Sequence, residues 1–201
     1  MKNVLYLILF ISFYSFGQNE PENTKKDIDK NKGYFNITKI SFSVVTKLKQ
    51  DIFIEGEGGF FSDLDTGGAH AWGIQTINGY FISPHFSLGI GIGLDGYHKP
   101  DFNTLPVVLD IRTYISDDEN SIYAYLDVGP NIRIGGNNSE FRKGMALNLG
   151  IGYKFNVGEN LFLVSDIFYS HKTVSLTNEG IRTSDYVIKA NGMGLSLGFI
   201  F

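Results

Sequence analysis

The chain has 201 residues, a formal net charge of −4 and a sequence pI near 5.5. This acidic balance argues against a nucleic-acid partner, which would require a basic stripe. Because the chain contains no cysteine, it forms no disulfide, no thiolate metal site and no lipid anchor on cysteine. Its 24 glycines and 17 phenylalanines are many for one domain of this length.

The first residues have the pattern of an export signal. Lys2 gives a positive start, an apolar run extends from Val4 to Phe16, and Ser15 and Gly17 supply the small residues before a cleavage site. The run is too short to cross about 30 Å of hydrocarbon as a helix. We therefore predict a signal peptide over residues 1–17. Residues 18–33 are half charged, which predicts a disordered periplasmic lead-in.

From Tyr34 onward, apolar residues alternate with small or polar ones, which is the period-two pattern of β-strands. The pattern divides into eight segments, at 35–46, 69–82, 86–97, 105–115, 121–134, 143–156, 161–174 and 186–201. The connections alternate between short turns, such as residues 83–85, and longer polar loops, such as residues 47–68. This alternation is typical of an up-and-down barrel in a membrane, with both termini on the short-turn side.

Side-chain parity indicates which face of the sheet meets lipid. In the last segment one row is bulky and apolar, with Met193, Leu195, Leu197, Phe199 and Phe201. In the third segment the opposite row is small or polar, with Ser87, Gly89, Gly91, Gly93 and Asp95. An eight-stranded barrel encloses only enough room for side chains to fill it, so the bulky rows are expected to face lipid. The sequence therefore predicts an all-β fold, an eight-stranded antiparallel up-and-down transmembrane β-barrel over residues 34–201.

Two further patterns accompany this interpretation. Thr76, Asn78 and Ser165 interrupt the outward rows, and the first segment is also irregular, which indicates a bulge or register shift in those segments. Aromatic residues occur where membrane girdles are expected. They are Tyr80, Phe86, Phe155, Phe199 and Phe201 near the short turns, and Trp72, Tyr97, Tyr169 and Tyr186 near the long loops.

With a signal peptide, eight amphipathic segments and a terminal aromatic residue, the chain resembles the small outer-membrane barrels of the OmpA/OmpX type. In that family an aromatic C-terminal residue with apolar residues at alternate positions before it is the signal read by the barrel-assembly machinery. The matching residues here are Leu195, Leu197, Phe199 and Phe201. The resemblance implies a bacterial outer-membrane location, contact with membrane lipid and lipopolysaccharide, and assembly by that machinery. We expect a monomer.

The inward rows carry both charges, with Lys39, Arg112, Arg133, Lys154 and Lys172 against Asp95, Asp110, Asp127 and Asp166. Buried charges persist when they are paired, so these residues predict a lumen filled by a salt-bridge network. Arg112 is expected to pair with Asp110 or Asp127. The alternative interpretation is a narrow, gated pore for small solutes.

The sequence does not predict an enzyme or a cofactor. His70, His98 and His171 lie near the long-loop ends, where outer-membrane enzymes of this architecture carry catalytic groups, but the local motifs of those enzymes are not present. Adjacent strand residues such as Ser170 and His171 point to opposite faces, which disfavours a Ser–His pair. Asp63 begins a stretch like a calcium loop, yet no glutamate stands at its twelfth position.

The predicted function is therefore a structural or loop-mediated interaction role, in envelope integrity, adhesion or partner binding. A narrow channel is the first alternative, and an outer-membrane enzyme with His and Asp residues at its rim is the second. The four long loops are the expected contact region, because loops on a rigid barrel commonly carry binding function.

Overall fold

The computed structural model of the protein describes residues 31–54, 56–99, 101–135, 143–179 and 183–201. The predicted signal peptide and most of the predicted lead-in lie outside this part of the chain. No helix in the described ranges is long and apolar enough to cross a membrane.

All the regular structure in the described ranges is β-sheet. The strands are β1 Gly33–Ile54, β2 Gly58–Leu64, β3 His70–Ser83, β4 Phe86–His98, β5 Phe102–Tyr114, β6 Ser121–Ile134, β7 Lys143–Gly158, β8 Leu161–Glu179 and β9 Thr183–Ile200. Every pairing is antiparallel, and β1 pairs with β9 as well as with β3. The eight long strands therefore close into a cylinder, which confirms the predicted fold. The rim with the short turns and Phe201 is called the near rim below, and the opposite end is the far rim.

The first predicted long loop, residues 47–68, contains more structure than expected. β1 continues to Ile54 and returns as β2, which pairs with it from Leu48–Leu64 to Ile54–Gly58. β8 and β9 also extend beyond their predicted bounds at the far rim. Together these extensions form a four-stranded sheet above the barrel, in the order β8–β9–β1–β2, which we call the outer sheet (residues 173–179, 183–191, 47–54 and 58–64).

The predicted irregularities are only partly present. A bulge does occur in β1, between Val45 and Lys47 where it pairs with β9. The registers of β3 and β8 are continuous through Thr76, Asn78 and Ser165, and the shift in β3 lies instead at its near end, between Phe81 and Ser83 where it pairs with β4. These three polar side chains instead face outward with the apolar row.

As side-chain parity predicts, the exterior of the barrel is apolar and its interior is filled by side chains. Outward residues are large and exposed, and Ile90 retains 67% of its surface. Many inward positions are glycine because neighbouring inward side chains occupy the space. A Cβ on Gly79 would lie 2.3 Å from the ring of Phe35, and one on Gly150 would lie 2.4 Å from the ring of Tyr125. Glycine on one strand thus makes room for an aromatic ring from the next.

Two apolar clusters occupy the lumen in addition to the predicted charges. The near and central cluster contains Phe35, Ile37, Ile77, Phe81, Tyr114, Tyr123, Tyr125, Phe162, Val164, Phe168 and Ile200. The far cluster, called the far cap below, contains Val45, Leu48, Ala69, Ala71, Tyr97, Ile188 and Ala190. Tyr97 therefore lies inside, stacked on Phe102 with ring centroids 4.4 Å apart, and does not belong to the predicted girdle.

Candidate functional site

The predicted lumen charges form three cation–carboxylate pairs in the described residues. Arg112 Nε donates to both oxygens of Asp110, at 2.9 and 3.0 Å. Lys39 Nζ lies 3.7 Å from Asp127. Both pairs are buried, with side-chain exposure of 4% or less. Removal from water is costly for each charge, so the attraction within each pair is needed to keep it ionised in place.

The third pair, Lys172 with Asp95, lies nearer the far rim. Lys172 Nζ donates to Asp95 at 2.5 Å, and Thr104 donates to the same carboxylate at 3.3 Å. The far cap begins beside this pair, where Ala190 stands opposite Lys172 on β9, and continues toward the far rim with Tyr97 and Ile188, each two residues further along its strand. The charged layer is therefore separated from the far rim by apolar side chains.

Tyrosines complete the network. Asp166 accepts hydrogen bonds from Tyr123 at 2.9 Å and from Tyr125 at 2.8 Å. The guanidinium of Arg112 lies over both rings, 5.2 Å and 4.8 Å from their centroids. Lys39 also lies 4.1 Å from the centroid of Tyr125. Sequence parity placed these tyrosines inside, but their hydrogen bonds to Asp166 could not be inferred from spacing.

The near mouth is closed by the end of the predicted lead-in. Asn31 is only 1% exposed and donates to the backbone oxygens of Pro84 and Ser116, which lie in two different turns. Lys154 Nζ donates to Asn31 Oδ1 at 2.5 Å and lies 4.7 Å from the Phe162 centroid. Asn31 therefore belongs to the barrel floor, although it falls in the segment predicted to be disordered.

Arg133 is the one residue of the predicted set that lies away from these contacts in the described part of the chain. It is half-buried on β6, and its Nε atom has no hydrogen-bond partner among the described residues. The other eight members of the set, four cations and four carboxylates, lie within the closed lumen.

A small polar cavity remains between the closed ends. Its volume is about 20 Å³, and Lys39, Gln75, Asp95, Asn148 and Lys172 line it. A space of this size holds about one water molecule. The side chains of the described residues therefore fill the lumen apart from this small polar pocket.

The outer sheet carries the most exposed aromatic side chains at the far rim. Phe53 and Phe61 lie on one face, where both rings come within 4 Å of the Cβ position at Gly59. Phe61 retains 79% of its surface. Phe60 is exposed on the other face, since it stands opposite Ile52. Below the Phe53–Phe61 pair, Lys49 faces Asp63 at 3.9 Å and Lys189 pairs with Asp51.

β2 also leaves one sheet edge open. It pairs with β1 on one side and with no other strand in the described ranges. Its sequence, Gly58 to Leu64, has neither proline nor lysine, the residues that commonly protect an exposed edge. The hollow beside it, of about 290 Å³, is lined by Lys49, Asp51, Phe61, Ser62, Asp63 and Lys189.

The histidines are not assembled into a catalytic group. His70 and His98 are cross-strand neighbours with ring centroids 4.9 Å apart, and His98 lies 3.4 Å from Asp101. His171 contacts Asn191 at 2.5 Å on the outward face, whereas Ser170 is buried. Within the ranges described, no group of three or more His, Cys, Asp or Glu residues could hold a metal ion.

The residues of the predicted assembly signal lie at the closing seam. Leu195, Leu197 and Phe199 are exposed on the outward face of β9. Phe201 exchanges two backbone hydrogen bonds with Asn36 on β1, at 2.8 and 3.0 Å. The terminal residue thus completes the β1–β9 ladder at the near rim.

Comparison with solved structures supports the fold. The chain is similar to the outer membrane protein OprG from Pseudomonas aeruginosa, with a TM-score of 0.56, 12% identity, and coverage of 85% of this chain and 95% of that one. It also matches Neisserial surface protein A, with a TM-score of 0.47, 13% identity, and coverage of 82% and 98%. No family model and no curated protein sequence matches the chain.

The likeness to OprG covers most of both chains, and the exterior of this barrel carries the apolar rows that a membrane requires. The chain is thus an eight-stranded antiparallel β-barrel with the fold of the small bacterial outer-membrane proteins.

Proposed function

We propose that this protein acts from the outer membrane as an interaction protein and that its outer sheet is the contact surface. The barrel is the scaffold that holds this sheet above the far rim. The observation that most strongly supports this proposal is the exposed Phe53–Phe61 pair on a projecting sheet, because exposed aromatic clusters commonly mark contact sites.

The filled lumen supports the same proposal. Three buried ion pairs, the far cap and the Asn31 floor occupy the space between the rims. A conducting barrel needs a continuous polar path, whereas in the described part of the chain the far cap and the Asn31 floor lie across the two ends of the lumen. This filling supports a function at the surface.

The test compares cells that display the full-length protein with cells that display the double variant Phe53→Ser/Phe61→Ser. We expect wild-type cells to attach to polystyrene and glycan-coated beads and to clump, and the variant to lose this property. Ile115→Ser is the matched control, since Ile115 is an equally exposed apolar residue at the opposite rim. Equal attachment by the double variant would contradict the proposal.

A narrow channel is the second candidate, and the polar cavity beside Lys172 favours it. Planar bilayers that contain the purified barrel distinguish the two functions. The interaction role predicts no conductance steps. Steps that disappear in Lys172→Met would establish the channel instead, because that lysine lines the cavity.

We also propose contact between the outer sheet and lipopolysaccharide. Lys49 and Lys189 stand opposite each other on the outward face, beyond the exposed Trp72 of the far girdle. This height supports a contact with anionic headgroups, for which the two ammonium groups would exchange their present partners Asp63 and Asp51. Lys49→Ser/Lys189→Ser should weaken lipopolysaccharide binding in a native-gel mobility assay, and Lys99→Ser at the same rim should not. Unchanged binding by the double variant would remove this contact.

A further inference from the structure

A cluster of polar side chains lies on the membrane-facing surface of β1 and β3. We call it the polar patch; its members are Asn36, Thr38, Thr76 and Asn78, with the hydroxyl group of Tyr34. They share the outward face because they are cross-strand partners, Asn36 with Asn78 and Thr38 with Thr76. This is where the sequence pattern is interrupted and where the register is nevertheless continuous.

The neighbouring strands place the polar patch on the lipid-facing surface, just inside the near girdle. On β4, Ile92 stands opposite Thr76 and Ile90 stands opposite Asn78, and both isoleucines are exposed on the outward face. On β9, Phe199 of the girdle stands opposite Thr38. Large apolar residues thus flank the patch on both sides. A polar group that faces the hydrocarbon from here finds no hydrogen-bond partner among the acyl chains.

Most of the patch is satisfied internally. Asn36 Nδ2 donates to Thr76 at 3.1 Å and to Asn78 Oδ1 at 2.8 Å, and Thr38 donates to Asn36 Oδ1 at 3.0 Å. The hydroxyl group of Tyr34 donates to Asn78 Oδ1 at 2.5 Å. These bonds use both lone pairs of Asn78 Oδ1.

The side-chain N–H groups of Asn78 are the part of the patch that has no internal hydrogen-bond partner. Its Nδ2 group carries two N–H bonds and makes no hydrogen bond to any described residue, while the side chain is exposed toward lipid. An acceptor also remains on the same patch, since Tyr34 is half exposed and its hydroxyl oxygen donates to Asn78 but accepts from no described residue. The patch therefore presents unused donors and an unused acceptor side by side.

We propose that the polar patch is the centre of a homodimer interface within the membrane, in place of the monomer expected from the sequence. Two copies inserted in the same direction are related by a two-fold axis along the membrane normal, and such an interface places one patch against the other. The Nδ2 group of each Asn78 then reaches acceptors on the other copy. A lipid acyl chain has no acceptor to offer, so a second copy is the occupant that matches the chemistry.

The surface beside the patch fits this arrangement. A shallow apolar depression lies next to Asn78, lined by Tyr34, Gly79, Tyr80, Leu88, Gly89, Ile90 and Leu109. Side chains of the second copy can pack against it without loss of hydrogen bonds. Polar contacts at the centre and apolar packing beside them are the combination by which membrane-embedded segments associate.

Single-cysteine variants test this interface, because the natural chain has no cysteine. Ile90→Cys places a thiol beside Asn78, and Leu149→Cys places one on β7, across the barrel and also exposed to lipid. Outer membranes containing each full-length variant are treated with a short bifunctional maleimide. We expect a cross-linked dimer from Ile90→Cys and none from Leu149→Cys.

Adding Asn78→Leu to Ile90→Cys should abolish the dimer band, while Asn78→Gln, which keeps the amide, should retain part of it. The heat-dependent gel shift of the folded barrel verifies that each variant has assembled. Equal cross-linking at both thiols, no dimer at either, or an adduct with a different protein would overturn the proposal. A second readout is wild-type thermal stability, which should rise with the protein-to-lipid ratio if two copies associate; a constant value would contradict it.

Discussion

At the residue scale, the buried pair of Asp110 and Arg112 is the most demanding contact in the lumen. Both side chains are fully buried, and the guanidinium also lies over two tyrosine rings. Loss of one partner from such a pair leaves the other charge uncompensated. The pair itself contributes little net stability, but substitution of either residue is expected to be strongly destabilising because it leaves the other charge buried and unpaired.

We predict that Asp110→Asn lowers the free energy of unfolding by about 3–5 kcal/mol, because Arg112 then remains buried without its carboxylate. The measurement is urea unfolding from lipid vesicles, followed by Trp72 emission. Asp63→Asn is the control, since that carboxylate is 73% exposed and its pair with Lys49 should contribute less than about 1 kcal/mol. Equal effects from both variants would show that Arg112 does not depend on Asp110.

The glycines of the lumen are constrained in a different way. A methyl group at Gly79 would lie 2.3 Å from the Phe35 ring and 2.9 Å from the backbone oxygen of Leu88. Gly79→Ala should therefore destabilise the barrel by about 1–3 kcal/mol in the same unfolding assay. Gly96→Ala, with its nearest contact at 3.4 Å, should have little effect. A neutral Gly79→Ala would mean that Phe35 has another position available.

Sequence reasoning at this scale identified the lumen charges but not all their partners. Parity is enough to place Arg112 and Asp110 inside. They lie two residues apart on one strand and therefore share a face, and the apolar residues between and beside them occupy the opposite, outward face. Parity cannot show that Asp166 is held by Tyr123 and Tyr125, since that contact joins β8 to β6 across β7. Nor can it show that Asn31 folds back to meet Lys154, since those residues are far apart in sequence.

At the element scale, the barrel strands were predictable and the outer sheet was not. Most barrel strands alternate between bulky and small or polar residues because one face meets lipid and the other a crowded lumen. Above the membrane this constraint ends, and residues 47–54 and 58–64 mix charged and apolar side chains without a clear period. The pattern therefore resembles a polar loop, although the chain continues as paired strand.

The terminal ladder gives a prediction for the C-terminal residue. Phe201→Ser should reduce the amount of folded protein in the outer membrane, because the resemblance assigns the aromatic terminus to recognition by the assembly machinery. Refolding of the purified variant in detergent should be affected much less, since the two bonds to Asn36 use only backbone atoms. Equal losses in cells and in detergent would show that the side chain acts through stability alone.

At the scale of the whole molecule, the orientation of the two sheet faces determines which residues meet lipid and which fill the lumen. The bulky rows face outward around the barrel, interrupted by the polar patch on β1 and β3, and charges, tyrosines and apolar clusters fill the interior. The sequence was sufficient for this orientation because glycine and bulky residues alternate over most of the chain. It was insufficient for the polar patch, where Thr76 and Asn78 interrupt the outward row and indicated a bulge or register shift.

The most direct test of this orientation is fluorescence quenching by lipids brominated in the acyl chain. Trp72 is the single tryptophan, so Trp72→Phe/Leu149→Trp places the only indole in the middle of an outward row. The account predicts strong quenching by the brominated acyl chains and little quenching by iodide in the aqueous phase. Quenching by iodide without quenching by the brominated lipid would contradict it, because the bulky rows would then not face the membrane.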